Sequence, residues 1–532
     1  MKDCLIKTYS QNRLILWVSI LLILVDNFTF FRHTIEAYPL HAHIGFLFSV
    51  ALVLFALTAL VFTLLSSKWT SKPLLILTLL ISSMAGYFMD TYHVIIDDSM
   101  IRNILQTDIK ESLDLLSLKQ GLYLLFFGII PAYIVYKIPI KYVSTKQALW
   151  QKFIQIVVLI LLITINIFIF SKHYTTFVRE HKPLRFSSNP VYWFYSIGKY
   201  IQGTFHGDSI VMQVLGEDAK IISNDTDRHK IIIMVVGEAA RADHFSLNSY
   251  SKETNPLLKQ EDILNFPHVS SCGTSTAVSV PCMFSIYNRK NYSYKKAIRT
   301  ENVLDVLHHS KQVALLWRDN NSDSKGVALR IPYQHYKSPQ NNTLCEEGEC
   351  RDIGMLVGLE TYIEKHKNKD ILIILHQMGN HGPAYYKRYP KSFETFTPVC
   401  QTNQLEACSK EEINNAYDNA ILYTDYFLTQ TIHLLKKYTH THKTAMLYMS
   451  DHGESLGENG IYLHGLPYFM APSAQTHIAA MVWMNRSLKQ SIKPIDTDKS
   501  YTQDNLFHSL LGLFEVETKV YDKTLDIFHS LI

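Results

Sequence analysis

The chain has 532 residues, 47% of them hydrophobic and 18% charged, with a net charge of only +4. That length is too great for one ordinary domain. Near-neutral charge without a Lys/Arg tract excludes a nucleic-acid binder that works through a basic surface.

Apolar residues concentrate in the first third. Five runs approach the ~20 residues that cross a bilayer: Leu14–Phe31, Ile44–Leu65, Pro73–Met89, Gly121–Tyr136 and Phe153–Phe170. The first is too long, and lacks a small-residue cleavage site, for a signal peptide. Lys2, Lys7 and Arg13 precede it, Lys68 and Lys72 separate runs two and three, and Lys137, Lys141, Lys146 and Lys152 separate runs four and five. The alternate loops are poorer in cations, so the N-terminus is expected inside and the chain after the fifth run outside. We therefore expect a membrane domain over 1–170, a juxtamembrane linker with an interfacial helix over 171–228, and an outer domain over 229–532. In the outer loop before run four, Asn103, Thr107 and Glu111 are spaced four apart and share one helix face. That face is either a solvated side of an interfacial helix or a polar ledge for a lipid head group. The segment Pro190–Tyr195 is aromatic enough for the membrane surface, and equally for packing under the outer domain.

From His229 short apolar runs alternate with helical patterns, the signature of a mainly parallel α/β sheet. Expected strands are Lys230–Val236, Gln312–Trp317, Asp370–His376, Thr444–Met449 and His477–Trp483. Ligands of such sheets gather beyond the carboxyl ends of strands, and polar clusters stand there. Glu238 follows the first strand, Asn321 and Lys325 the second, His381 the third, and Asp451, His452 and Glu454 the fourth, with His464 in the next loop. Asp451 and His452 are zinc donors, Glu238 adds a carboxylate, and Thr276 can complete a tetrahedral set. Thr276 lies in a run of hydroxyls, Ser271-Cys272-Gly273-Thr274-Ser275-Thr276, ahead of a helix-forming stretch, where free N–H groups favour an anionic substrate. A Ser/Thr-rich turn, a capped helix start and ordinary surface histidines would explain each piece singly. Cys272, Cys282, Cys345, Cys350, Cys400 and Cys408 all lie in the outer half, where they should be oxidised. Fifteen pairings are open; nearest neighbours, Cys272–Cys282, Cys345–Cys350 and Cys400–Cys408, are expected.

Five stretches together resemble the phosphoethanolamine transferases that modify lipid A, including the mobile colistin-resistance enzymes. They are Gly-Glu-Ala-Ala-Arg-Ala-Asp-His from Gly237, Ser-Cys-Gly-Thr-Ser-Thr-Ala from Ser271, Trp-Arg-Asp-Asn-Asn-Ser from Trp317, Gly-Asn-His-Gly-Pro from Gly379 and Ser-Asp-His-Gly-Glu-Ser-Leu-Gly-Glu from Ser450. The resemblance covers nearly the whole chain and implies a five-helix membrane domain with an alkaline-phosphatase/sulfatase-like α/β outer domain. It implies Thr276 as nucleophile, with Glu238, Asp451 and His452 joining it on zinc, and one zinc ion with residues for a second. Asn103, Thr107, Glu111, Asn321, Lys325, His381, Glu454 and His464 are then substrate or second-zinc residues. The implied reaction moves phosphoethanolamine from phosphatidylethanolamine to a lipid A phosphate in the bacterial inner membrane, with the outer domain in the periplasm. We expect membrane lipids as partners and a monomer. Val278 and Ala239 depart from the family, where Tyr and Thr are frequent; neither is an expected ligand. Core sugars of lipooligosaccharide are the alternative acceptor. A sulfatase would need an Arg that Val280-Pro281-Cys282-Met283-Phe284 lacks, a plain phosphatase would not need five spans, and a non-enzymatic sensor leaves Thr276 and its neighbours unexplained.

Overall fold

The computed structural model describes residues 9–106, 115–204, 212–222, 228–346 and 348–529. Compact packing divides the chain into two units at 101/102, 115/116 and 202/203.

The first unit is helical: α1 Gln11–Val25, α2 Phe28–Ala37, α3 Leu40–Leu65, α4 Ser71–Tyr92, the start of α5 Asp98–Gln106, whose residues from Arg102 on count with the second unit, α6 Leu118–Lys137 and α7 Thr145–Ile169. Among the described residues four of these, α3, α4, α6 and α7, are long and apolar enough to cross a membrane; α1 and α2 meet the same test only together, as a pair bent by 62°, and count as a fifth span if that pair is one. The first apolar run is thus not one straight helix. Its break falls at Asp26-Asn27, where the Asn27 side-chain amide donates to the Leu22 carbonyl at 3.0 Å and so competes with the helix for a backbone acceptor. The aromatic segment after Pro190 belongs to a helix, Val191–Thr204. Its Trp193 is 3% exposed and packs with Ala85, Met89 and Ile96 inside this unit, while Tyr195 of the same segment is exposed.

The second unit is built on seven strands: β1 Lys230–Gly237, β2 Ile263–Asn265, β3 Val313–Asp319, β4 Tyr333–His335, β5 Asp370–His376, β6 Lys443–Ser450 and β7 Ala480–Met484. Their order is β2-β7-β6-β1-β5-β3-β4. From β6 to β4 all neighbours are parallel, while β7 runs antiparallel to both β6 and β2. β1, β5 and β6 are continuous apolar runs because the sheet is covered on both faces; Ile231 to Val236 are fully buried. The expected strand over 477–483 divides. His477–Ile478 joins a small separate sheet, and only Ala480–Met484 joins the main one. All six outer cysteines are paired, 272 with 282, 345 with 350, and 400 with 408.

Strand register brings the polar segments level with one another. Gly237 is opposite Ser450, Val236 opposite His376, and His376 opposite Asp319. The four segments leaving β1, β6, β5 and β3 therefore start from one edge.

Candidate active site

Glu238, Asp451 and His452 are fully buried at that edge. Helix α8, Thr276–Met283, begins beside them, and Thr276 is its first residue after the extended cap Ser275. The Thr276 hydroxyl donates to Glu238 Oε2 at 3.0 Å and lies 3.4 Å from His452 Nε2. His452 Nε2 is 3.3 Å from Glu238 Oε1 and 3.4 Å from Asp451 Oδ2. The neighbouring hydroxyl of Thr274 is taken by the Leu466 carbonyl at 2.6 Å.

Each donor is aimed from behind. His452 Nδ1 is 2.8 Å from the Gly453 carbonyl; a carbonyl only accepts, so the proton sits on Nδ1 and Nε2 faces the cluster. Asp451 Oδ1 accepts from the N–H groups of Ala239, at 3.1 Å, and His452, at 2.7 Å. Glu238 Oε2 accepts from Asn321 Nδ2 at 2.9 Å. Glu238 Oε1 and Asp451 Oδ2 are left buried without a hydrogen-bond partner among the described residues.

Electrostatics agree with this arrangement. Burial disfavours charge on His452, yet Asp451 and Glu238 outweigh it and lift its pKa to about 10. Burial, with Glu238 alongside, raises Asp451 to about 6. Glu238 is held well below the usual carboxylate range because His452 overcomes its burial. The cluster attracts positive charge strongly enough to keep a proton on an imidazole. Two orphaned carboxylate oxygens and one oriented imidazole, all within 4.8 Å of one another, fit a divalent cation of the zinc class. A second group capable of holding a metal ion is His452, Glu454 and His464. Glu454 is fully buried; its Oε2 is 2.7 Å from His464 Nδ1, and its Oε1 accepts from Tyr385 at 2.7 Å. The His381 and His464 rings are 5.9 Å apart, and those of His452 and His464 4.2 Å.

The fold thus brings Glu238, Thr276, Asn321, His381, Asp451, His452, Glu454 and His464 together. Lys325 has other partners, Ser322 at 2.6 Å and the Gln106 carbonyl at 3.3 Å, and lines a cavity of about 190 Å³ with Tyr294, Glu301 and Arg330. Asn103 is half-buried on α5; Thr107 and Glu111 lie outside the described residues.

Sequence reasoning missed the residues that position these. Gln503 accepts from Cys272 N at 2.6 Å and donates to the carbonyls of Ser450 and Asp451 at 2.8 and 2.7 Å. It ties the Thr276 loop to the Asp451 strand end. Asp352, fully buried, accepts from Asn320 Nδ2 at 2.7 Å, Met378 N at 2.9 Å, Gly379 N at 3.1 Å and Gln377 Nε2 at 3.3 Å. It clamps the loops after β3 and β5. Gly379 has φ 48°, and a Cβ there would stand 2.9 Å from the Glu238 carbonyl, so only glycine permits this approach. A lone Gln and a lone Asp far from any motif carry no sequence signal.

Comparison with known proteins matches the two halves of the chain to different families. The family described as Sulfatase matches residues 230–516, and Phosphoethanolamine transferase EptA/EptB matches residues 54–205. The chain is 43% identical over 530 residues to phosphatidylethanolamine transferase Mcr-1 of Escherichia coli, covering 97% of each. It is 38% identical over 518 residues to phosphoethanolamine transferase EptA of Escherichia coli strain K12, covering 95% of this chain and 94% of the relative. The solved integral membrane protein lipooligosaccharide phosphoethanolamine transferase A of Neisseria meningitidis superposes with a TM-score of 0.92 at 32% identity, covering 98% of this chain and 99% of that one.

Proposed function

We propose a mechanism for this chain, which belongs to the phosphoethanolamine transferase family: Thr276 takes phosphoethanolamine from phosphatidylethanolamine and passes it to a lipid A phosphate. The observation that carries it is the Thr276 hydroxyl, first in its helix and pointing into the Glu238–Asp451–His452 cluster. Zinc held by Glu238, Thr276, Asp451 and His452 would supply a lowered hydroxyl pKa and charge compensation for the phosphate. Glu238 Oε2 already accepts the Thr276 hydroxyl hydrogen, so the proton has a destination as Oγ1 closes on phosphorus. The phosphorus–oxygen bond to diacylglycerol breaks. The leaving alkoxide takes a proton from His464, which Glu454 orients, or from His381. The acceptor phosphate reverses these steps and frees Thr276.

Asn321, Lys325, His381, Glu454 and His464 then bind substrate or a second zinc, and Asn103, Thr107 and Glu111 the lipid head group. In this reading a monomer is anchored in the inner membrane by 1–170, with 171–228 as linker and 229–532 in the periplasm. The transferred amine offsets acceptor charge, which weakens attraction of cationic peptides such as polymyxin. Mass spectrometry tests the reading in two stages. Incubated with phosphatidylethanolamine and no acceptor, the protein should carry a phosphoethanolamine adduct on Thr276, lost in Thr276→Ala. Lipid A from cells with the protein should gain the group on a phosphate. An adduct elsewhere refutes the nucleophile, and a modified core sugar with unmodified lipid A refutes the acceptor.

A further inference from the structure

The helical unit gathers cations at one face without anions to match them. The end of α3, the start of α4, the end of α6 and the start of α7 fall at one face of the membrane by successive crossings. The stretches that meet there, 9–25, 64–75 and 137–155, hold seven Lys or Arg residues and no Asp or Glu. The eight residues ahead of them bring Lys2 and Lys7 against Asp3 alone, so they add no net counter-charge.

Among the described residues that face contains a cavity of about 310 Å³, walled by 10–12 at the start of α1, by 66–69 between α3 and α4, and by residues between 141 and 152 leading into α7. The walls are tied together: Asn12 Nδ2 donates to the Gln151 carbonyl at 3.3 Å, and Lys141 N to the Tyr9 carbonyl at 2.9 Å. Lys68, Lys141 and Lys152 line the space. Lys152 Nζ donates to the carbonyls of Leu64 at 2.9 Å and Ser66 at 3.1 Å, and Lys68 lies 4.7 Å over the Trp69 ring; carbonyls and a ring orient these ammonium groups but do not neutralise them. Two further features call for an acceptor. α7 starts at Thr145 with no side-chain cap from Ser144, so its first N–H groups and the positive end of a 25-residue helix stand open where Thr145 and Ala148 form the wall. Ser66, which also lines the cavity, is 3% exposed, and its hydroxyl has no hydrogen-bond partner among the described residues.

We propose that this cavity binds the phosphate of an anionic phospholipid head group, such as phosphatidylglycerol, on the side of the membrane where α7 begins. Three lysines with no carboxylate among them call for an anion, and basic pockets between membrane helices take anionic head groups. A phosphate diester only accepts, which matches a lining of ammonium groups, free helix N–H groups and an unpartnered hydroxyl. The rim favours a lipid over free phosphate. Trp69 and Leu149 are exposed at the cavity, and Leu64, Leu65 and Phe153 are exposed beside it, an apolar surface at membrane depth on which acyl chains can lie. A zwitterionic head group carries its own ammonium against the lysines and is disfavoured, so the preference runs opposite to that of a site for an amine-bearing lipid. The proposal rests on the membrane reading of the helical unit and is independent of the Thr276 chemistry.

The test is native mass spectrometry of the full chain released from nanodiscs of phosphatidylcholine doped with phosphatidylglycerol. Wild type should retain phosphatidylglycerol over phosphatidylcholine by about tenfold or more. Lys68→Gln and Lys141→Gln should each lower that preference roughly fivefold, the worth of one lysine at a membrane surface. Ala148→Phe, at an exposed position of α7, fills the cavity with every charge kept and should abolish it. Lys146→Gln removes a charge from the same helix turn without lining the cavity, and should leave the preference near the wild-type value. Equal retention of the two lipids by wild type overturns the proposal. So does a preference that survives Ala148→Phe, or a loss in Lys146→Gln equal to that in Lys68→Gln, since either marks diffuse attraction to a basic face. Binding of inorganic phosphate by protein that shows no preference for phosphatidylglycerol overturns the lipid assignment. Retention of neither lipid would sink the membrane reading and the proposal with it.

Discussion

Asp352→Asn changes one atom of a fully buried side chain, and its cost can be worked from four hydrogen bonds. The carboxylate accepts from Asn320 Nδ2 and Met378 N through Oδ1, and from Gly379 N and Gln377 Nε2 through Oδ2. The asparagine amide keeps one oxygen. Whichever way it turns, its NH₂ faces two N–H donors, which lose their acceptor. A buried unsatisfied donor costs about 1–3 kcal/mol, so the substitution should destabilise by ~2–6 kcal/mol. For a unit of roughly 300 residues that is a melting-temperature loss of about 3–9 °C. The effect should reach the chemistry, because the same carboxylate sets Gly379 against the Glu238 backbone and Asn320 beside Asn321. Differential scanning fluorimetry of the metal-loaded protein, with a transfer assay on matched samples, measures both. A melting temperature within one degree of wild type, with full activity, would refute the clamp.

Gln503→Ala cuts the tie between the Thr276 loop and the Asp451 strand end, and should weaken zinc retention or turnover by ~10–100-fold, read by zinc titration with a chromophoric chelator. Chelator-stripped protein should melt lower as pH rises from 7 to 10. The folded-state pKa of His452 is lifted to about 10, above the usual ~6.5, so its stabilising charge is fully present below pH 6.5 and lost as pH climbs through 10. A flat or rising profile would contradict this. Zinc should displace that proton, so calorimetry in buffers of different ionisation enthalpy should record about one proton released near pH 8. Cys272→Ser opens a ten-residue loop and should cost ~2–3 kcal/mol, with activity falling further than stability because the loop carries Thr276. Free-thiol labelling of unreduced, denatured wild type should find none of the six outer cysteines.

The sheet was legible because its parallel strands are buried on both faces and read as plain apolar runs; four of five expected strands hold within a residue or two. The fifth misled because an apolar run does not say where a strand changes sheets: Ala479 gives its carbonyl to Ser450 and its N–H to Ala240 between the two pieces. The buried Glu238–Asp451–His452 group was legible because these residues directly follow strands. The hidden residues act at long range. Gln503 lies more than 200 residues from the Cys272 N–H it fixes, and Asp352 gains meaning only once β3 and β5 are neighbours. The bend at Asp26-Asn27 was hidden differently, since hydropathy averages over two polar residues inside a long apolar stretch.

The strand order also dictates when the site can come into being. β1, which delivers Glu238, lies between β6 and β5, so its partner on one side is made some 200 residues later. As the chain emerges from its N-terminus, the helices are complete before any strand of the sheet exists, and β1 waits with one edge bare until β6 arrives. Long-range parallel pairing of this kind is slow, and an unpaired strand edge is open to wrong partners. Glu238 and Thr276 are synthesised early, yet the cluster they share closes only with Asp451 and His452. A ribosome stalled before residue 450 would therefore leave the helices complete and the sheet without the strand that covers one edge of β1, the kind of bare edge that favours aggregation.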